Sequence, residues 1–184
     1  MMKKMTKPDF YKRMFIVNRH GVIDYELEGD EKFIFLDIDG VLNSSVYADE
    51  YVSKHEDDPE YHIWCDPVAC QKVADFCKEN NTWLVISSSW RYTNDIQKTV
   101  DKLEEISGFK SIIPYIVGQT SRRGLTRGDQ IKDFTDTFGI KHYCIVDDDT
   151  DMLVEQKPHF VHVDSYYGLI LDEYYDDMKK KLEL

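Results

Sequence analysis

The feature that most constrains this chain is the run Phe33-Ile34-Phe35-Leu36, closed at once by Asp37-Ile38-Asp39-Gly40. An unbroken apolar run without alternation marks a strand buried on both faces, and such strands belong to parallel sheets covered by helices. The same pattern recurs twice. Trp83-Leu84-Val85-Ile86 ends at Ser87-Ser88-Ser89, and Tyr143-Cys144-Ile145-Val146 ends at Asp147-Asp148-Asp149. Between these runs the periodicity is helical. Asp66-Pro67 reads as an N-cap and first helical residue, opening a helix whose Ala69, Val73, Phe76 and Cys77 share one face. Ile96, Val100, Leu103 and Ile106 predict a helix stopped by Gly108; Ile131, Phe134 and Phe138 predict another, ended by Gly139. Ile112 to Val117 fits a strand that Pro114 places at an edge or bend, and Phe160 to Val163 fits one more before a C-terminal helix around Leu169–Leu182. This alternation predicts an α/β fold, a doubly wound (Rossmann-like) parallel sheet. Ligands of such sheets sit beyond the carboxyl ends of the strands, where all three polar clusters fall.

A chain of 184 residues is one domain's worth, and its net charge of −12 argues against coating duplex nucleic acid through phosphate contacts. Lys3, Lys4, Lys7, Lys12, Arg13 and Arg19 stand against Asp9 alone at the start of the chain. Residues 1–31 are therefore expected to be a basic N-terminal arm, with a hairpin around Asn18-Arg19-His20-Gly21, and 32–184 the main domain. Residues 44–66, rich in Asp49, Glu50, Glu56, Asp57, Asp58 and Glu60, are expected to form an acidic loop or small lid. That leaves room for a minimal cap or none. No apolar run approaches a membrane span and no secretory signal opens the chain; Cys65, Cys70, Cys77 and Cys144 form no CxxC pair. A cytoplasmic location without a membrane partner is the expectation. His55, His62, Cys65 and Cys70 raise a zinc question, but their spacing matches no standard pairing.

Asp37 and Asp39 read either as strand-end turn residues or as paired carboxylates facing a pocket. The second acidic cluster, at Asp147–Asp149, favours the pocket. A hard cation such as Mg2+ takes carboxylate oxygens and leaves positions for substrate phosphate; Asp37, Asp39 and one of Asp147–Asp149 would make such a site. Without a cation these carboxylates would repel one another.

The stretch Phe33-Ile34-Phe35-Leu36-Asp37-Ile38-Asp39-Gly40-Val41-Leu42-Asn43 resembles the first motif of haloacid dehalogenase (HAD) phosphatases. Val85-Ile86-Ser87-Ser88-Ser89-Trp90-Arg91 is similar to their second motif, and Ile145-Val146-Asp147-Asp148-Asp149-Thr150-Asp151 to their fourth. More narrowly, Asp-Gly-Val-Leu-Asn, Ser-Ser-Trp-Arg, the Arg127-Gly128 helix start and Tyr167-Gly168-Leu169 resemble the phosphatase domain of multidomain RNA repair proteins, a relative of the 3′-phosphatase half of phage polynucleotide kinase.

The resemblance implies a division of labour. Asp37 would be the nucleophile that forms an aspartyl-phosphate, and Asp39 the general acid and then base. Ser87 would hold the transferred phosphoryl group, with Ser88 the alternative. Arg127, at a helix start, would neutralise the phosphoryl oxygens, with Lys132 the runner-up. Asp148, or Asp147 in the neighbouring register, would complete the Mg2+ ligands with Asp37 and Asp39, and Asp151 would support that shell through water. Arg91, Arg122 and Arg123 are candidate substrate contacts, set against surface roles. Trp64, Trp90 and Tyr92 are candidates for base stacking, with core or rim packing the favoured reading of the two tryptophans.

The implied function is a Mg2+-dependent phosphomonoesterase, with a nucleotide or nucleic-acid 3′-phosphate end as substrate and partner. A small-metabolite phosphatase, a phosphotransferase and a non-catalytic phospho-ligand module are the alternatives.

Overall fold

The computed structural model describes residues 30–54, 65–91, 95–122 and 124–184. The basic arm and its hairpin lie outside the described residues, as do His55, His62, Trp64, Tyr92 and Arg123. Five strands form one parallel sheet: β1 (Lys32–Leu36), β2 (Thr82–Ile86), β3 (Ile116–Gln119), β4 (His142–Asp147) and β5 (Phe160–His162), in the order β3-β2-β1-β4-β5. The chain runs outward from β1 through β2 to β3, then returns to lay β4 on the other side of β1. That reversal is the switch point at which open α/β sheets bind ligands.

The continuous apolar runs are explained by two covered faces. Phe33, Phe35, Trp83, Val85 and Ile145 pack with Ile131 and Phe134 of helix α4 (Arg127–Phe138). Ile34, Leu36, Leu84, Ile86, Cys144 and Val146 pack on the other side with α2 (Pro67–Asn80), α3 (Ile96–Glu104) and α5 (Asp172–Lys181). The central strands β1 and β2 are thus held by their backbone ladders and by burial on both sides.

The predicted helix ends hold at α2 and α4. The Asp66 side chain accepts from the Val68 and Ala69 amides, and Pro67 opens the helix. Gly139 closes α4 at φ +65°. Three expectations need correction. Residues Ser45–Lys54, expected within an acidic loop or small lid and without regular structure, form helix α1. Ser44 Oγ accepts from the Tyr47 amide at its start, Tyr47 and Tyr51 pair one turn apart, and Glu50 binds Lys54 at the same spacing. These local pairs stabilise a helix that the charge count obscured. Gly108 does not end α3: it lies in a 3₁₀ turn, and a Cβ there would come within 2.5 Å of Cys65 Sγ. It is a close-packing glycine. Strand β3 begins only at Ile116, after a 3₁₀ turn that contains Pro114, and it is an edge strand. Among the described residues, no helix is long and apolar enough to cross a membrane.

Candidate active site

Register builds the site. Leu36 lies opposite Ile86 on one side and Val146 on the other, so the next residues, Asp37, Ser87 and Asp147, stand in one row across three strands. Backbone bonds extend the ladder past the ends of β1 and β2: the Asp37 amide donates to Val146 O at 3.0 Å and the Ser87 amide to Leu36 O at 3.0 Å. All three residues are buried. Among the described residues, Ser87 Oγ has no hydrogen-bond partner, and Asp37 Oδ1 and Asp147 Oδ2 are met by a single cation, the Arg127 guanidinium. Buried polar side chains are nearly always satisfied, so an orphaned hydroxyl beside two carboxylates that share one cation, at a sheet switch point, marks a place where a ligand completes the bonding.

Asp148 joins from the next position. Oxygens of Asp37, Asp147 and Asp148 lie within 4.8 Å of one another, a group able to hold a metal ion. Its carboxylate rests against Gly40, whose φ is +70° and whose missing Cβ leaves the space that Asp148 occupies. Both Asp147 and Asp148 are candidate ligands, where the sequence left them as alternatives. Asp39 is outside this group. It is exposed and receives bonds from Asn43 Nδ2 at 2.8 Å, Trp90 Nε1 at 2.8 Å and Ser89 Oγ at 3.2 Å.

Arg127 supplies the positive charge. Its Nη1 stands 3.0 Å from Asp37 Oδ1 and 3.3 Å from Asp147 Oδ2, and it donates to Ser87 O. The start of α4 is fixed by the reciprocal capping of Thr126 and Asp129. It is also fixed by Asp151, whose Oδ2 accepts from the Arg127 amide at 2.9 Å and whose carbonyl accepts from Gly128. Asp151 is thus a helix anchor. A Cβ on Gly128 would meet Leu153 N at 2.6 Å, so this glycine lets α4 sit directly on the loop after β4. Lys132, the runner-up, is exposed and paired with Asp136 at 2.9 Å.

The electrostatics follow. Burial, then the Asp37 charge, raise the Asp147 pKa from 3.8 to about 7, opposed by Arg127. Burial and Asp37 also push Asp148 upward. Burial by itself would lower the Arg127 pKa, but Asp37 and Asp147 hold it above its ordinary value.

The expected substrate arginines fare differently. Arg91 is buried, and its guanidinium donates to Ser88 O, Thr120 Oγ1, Thr120 O, Ser121 O and Gln130 Oε1. Burial, then the neighbouring Arg127 and Arg122, lower its pKa to about 10. It ties strand ends together and is not a surface salt bridge. Arg122 is exposed and donates to Ser89 O at 3.1 Å and to Arg91 O. Ser88 Oγ accepts from the Trp90 amide at 3.3 Å, whereas Ser87 Oγ has no partner among the described residues. Asn43, Trp90 and Gln130 are the residues whose site contacts sequence reasoning missed. Asn43 and Trp90 lie inside quoted motifs, but nothing in a linear motif says which side chain bonds to which.

An acidic row at the switch point of a parallel sheet, faced by an arginine from the helix before β4, defines a HAD-type domain. The chain belongs to the family described as the HAD domain in Swiss Army Knife RNA repair proteins, which matches residues 33–173. No curated protein and no solved structure matches it. Membership implies phosphatase-type hydrolase chemistry, and HAD domains typically use Mg2+.

Proposed function

We propose that this chain is a Mg2+-dependent phosphatase that hydrolyses a phosphomonoester through an aspartyl-phosphate on Asp37, acting on a nucleotide or a nucleic-acid 3′-phosphate end. The observation that carries the chemistry is the buried row of Asp37, Ser87 and Asp147, in which two carboxylates share the Arg127 cation and the Ser87 hydroxyl has no partner among the described residues. The donor set fits a hard cation: three carboxylates whose oxygens lie within 4.8 Å of one another, with one arginine between two of them. A bound Mg2+ on Asp37, Asp147 and Asp148 would offset their mutual repulsion and supply positive charge to phosphoryl oxygens.

The chain's own groups do the rest. Asp37 attacks phosphorus; its O–P bond forms as the ester P–O bond breaks, and Asp39 delivers a proton to the departing oxygen. Ser87 Oγ donates a hydrogen bond to the transferred group, and Arg127 offsets its charge. Asp39, now a carboxylate, takes a proton from water as the water oxygen attacks phosphorus. That attack frees Asp37 and inorganic phosphate.

The family's RNA repair context supports a nucleic-acid end. The net charge of −12 favours a smaller phosphate, which is the second reading. Phosphate release decides between them, measured on a 3′-phosphorylated oligonucleotide, 3′- and 5′-mononucleotides and an aryl phosphate, each with Mg2+ or chelator. Mg2+-dependent release from the oligonucleotide and the 3′-mononucleotide, with slower release from the aryl phosphate, is the expected result, with Asp37→Asn inactive and folded. Release from mononucleotides or the aryl phosphate alone makes it a small-molecule phosphatase, and normal turnover by Asp37→Asn overturns the nucleophile assignment.

A further inference from the structure

The carboxylate of Asp39 is clamped unevenly, and the asymmetry assigns its proton. Oδ1 accepts from Asn43 Nδ2 at 2.8 Å and from Trp90 Nε1 at 2.8 Å. Oδ2 has Ser89 Oγ at 3.2 Å. The indole N–H and the amide NH₂ can only donate, so an oxygen that faces both has no room for a proton of its own. The orientation of Asn43 is set by its other end, because Asn43 Oδ1 accepts from the Gly40 amide at 2.9 Å and Nδ2 must therefore face Asp39. Ser89 Oγ is different in kind: a hydroxyl donates to a carboxylate and accepts from a carboxylic acid.

We infer that Trp90 and Asn43 are positioning residues that fix Oδ1 as an acceptor only and leave Oδ2, beside Ser89, as the oxygen that carries and delivers the proton. This rests on the proposed general-acid role of Asp39. When the ester bond breaks, the proton leaves Oδ2 for the departing oxygen, and Ser89 turns from accepting to donating as Asp39 becomes a carboxylate. Water then returns a proton to Oδ2, and the carboxyl group does not need to rotate between the two half-reactions. Packing makes Trp90 a stiff clamp: its ring lies edge-on to Phe109, with centroids 5.7 Å apart, and is partly buried against the core.

Trp90→Phe removes the N–H and keeps the aromatic contact with Phe109. An alkyl leaving group needs the proton and a nitrophenolate does not, so kcat/KM on the two reports on Oδ2 selectively. With Mg2+ present, Trp90→Phe is expected to lower kcat/KM for thymidine 3′-phosphate about tenfold and to leave that for p-nitrophenyl phosphate within about twofold. In an Asp39→Asn background the same substitution should add nothing, because it acts through Asp39. Asn43→Asp, which turns a carboxylate toward Oδ1, should show the same leaving-group split and provides a second test should Trp90→Phe fold poorly. An equal loss on both substrates, or full additivity with Asp39→Asn, overturns the clamp while leaving the phosphatase reading intact. Wild-type protein inactive on both substrates overturns the two together.

Discussion

At Asp147, stability and function pull in opposite directions. The residue is fully buried in the row of strand ends, and its pKa rises from 3.8 to about 7, through burial first and the Asp37 charge second. Between those two values the folded protein holds a proton that the unfolded chain has released. Folded protein then binds more protons than unfolded, so stability falls as pH rises through that window. Asp148 shifts in the same direction and adds to the slope. Thermal unfolding in chelator should therefore give a lower Tm at pH 8 than at pH 5, and Mg2+ should raise Tm more at pH 8, where it has charges to neutralise. Asp147→Asn keeps the shape and removes the charge. It should flatten the pH slope, raise Tm in chelator at pH 8, and remove most of the Mg2+ response along with turnover. A Tm that climbs from pH 5 to pH 8 in chelator would contradict this assignment of the buried carboxylates.

Between elements, Arg91 joins what register alone does not. Its guanidinium holds the chain after β2 through Ser88, the chain after β3 through Thr120 and Ser121, and α4 through Gln130. Because α4 also carries Arg127, Arg91 fixes the distance between the Ser87 strand and the arginine that faces Asp37. Lysine offers one ammonium where this network uses a planar fork, so Arg91→Lys should leave buried acceptors unsatisfied and destabilise by roughly 2–4 kcal/mol. It should reduce kcat with little change in KM, since the loss reaches the substrate only through Arg127. A raised KM with unchanged kcat would instead return Arg91 to direct phosphate binding. The contrast shows how far the sequence was legible. Apolar runs such as Phe33–Leu36 announce two-sided burial by composition alone, and their polar endings located Asp37, Ser87 and Asp147. The partners of Arg91 could not be read, because they are mostly carbonyls, which every residue possesses and only the fold aims. Helix α1 was hidden for another reason: its stability comes from pairs one turn apart, Tyr47 with Tyr51 and Glu50 with Lys54, inside a stretch whose net charge read as loop.

Over the whole molecule, charge sets how a substrate arrives. The chain carries −12, and among the described residues the arginines nearest the site are already engaged: Arg91 in buried hydrogen bonds, Arg127 with Asp37 and Asp147, Arg122 with two carbonyls. A polyanionic oligonucleotide therefore meets net repulsion at long range, and its encounter rate is reduced before any contact forms. Salt shortens the reach of that repulsion, from a Debye length of about 20–30 Å near 0.02 M to about 7–8 Å near 0.2 M. At fixed Mg2+, kcat/KM for a 3′-phosphorylated oligonucleotide should rise about threefold or more across this range of KCl. An aryl phosphate, with far less charge to repel, should change by less than about half that. Proteins that hold nucleic acid through many phosphate contacts behave in the opposite way, since counterion release makes binding weaken with salt. A steep fall in kcat/KM for the oligonucleotide would mean that a basic surface captures the strand and outweighs the acidic body. A rise would mean that the enzyme grips the end alone, through the phosphate in the Asp37 row, and is indifferent to the rest of the strand.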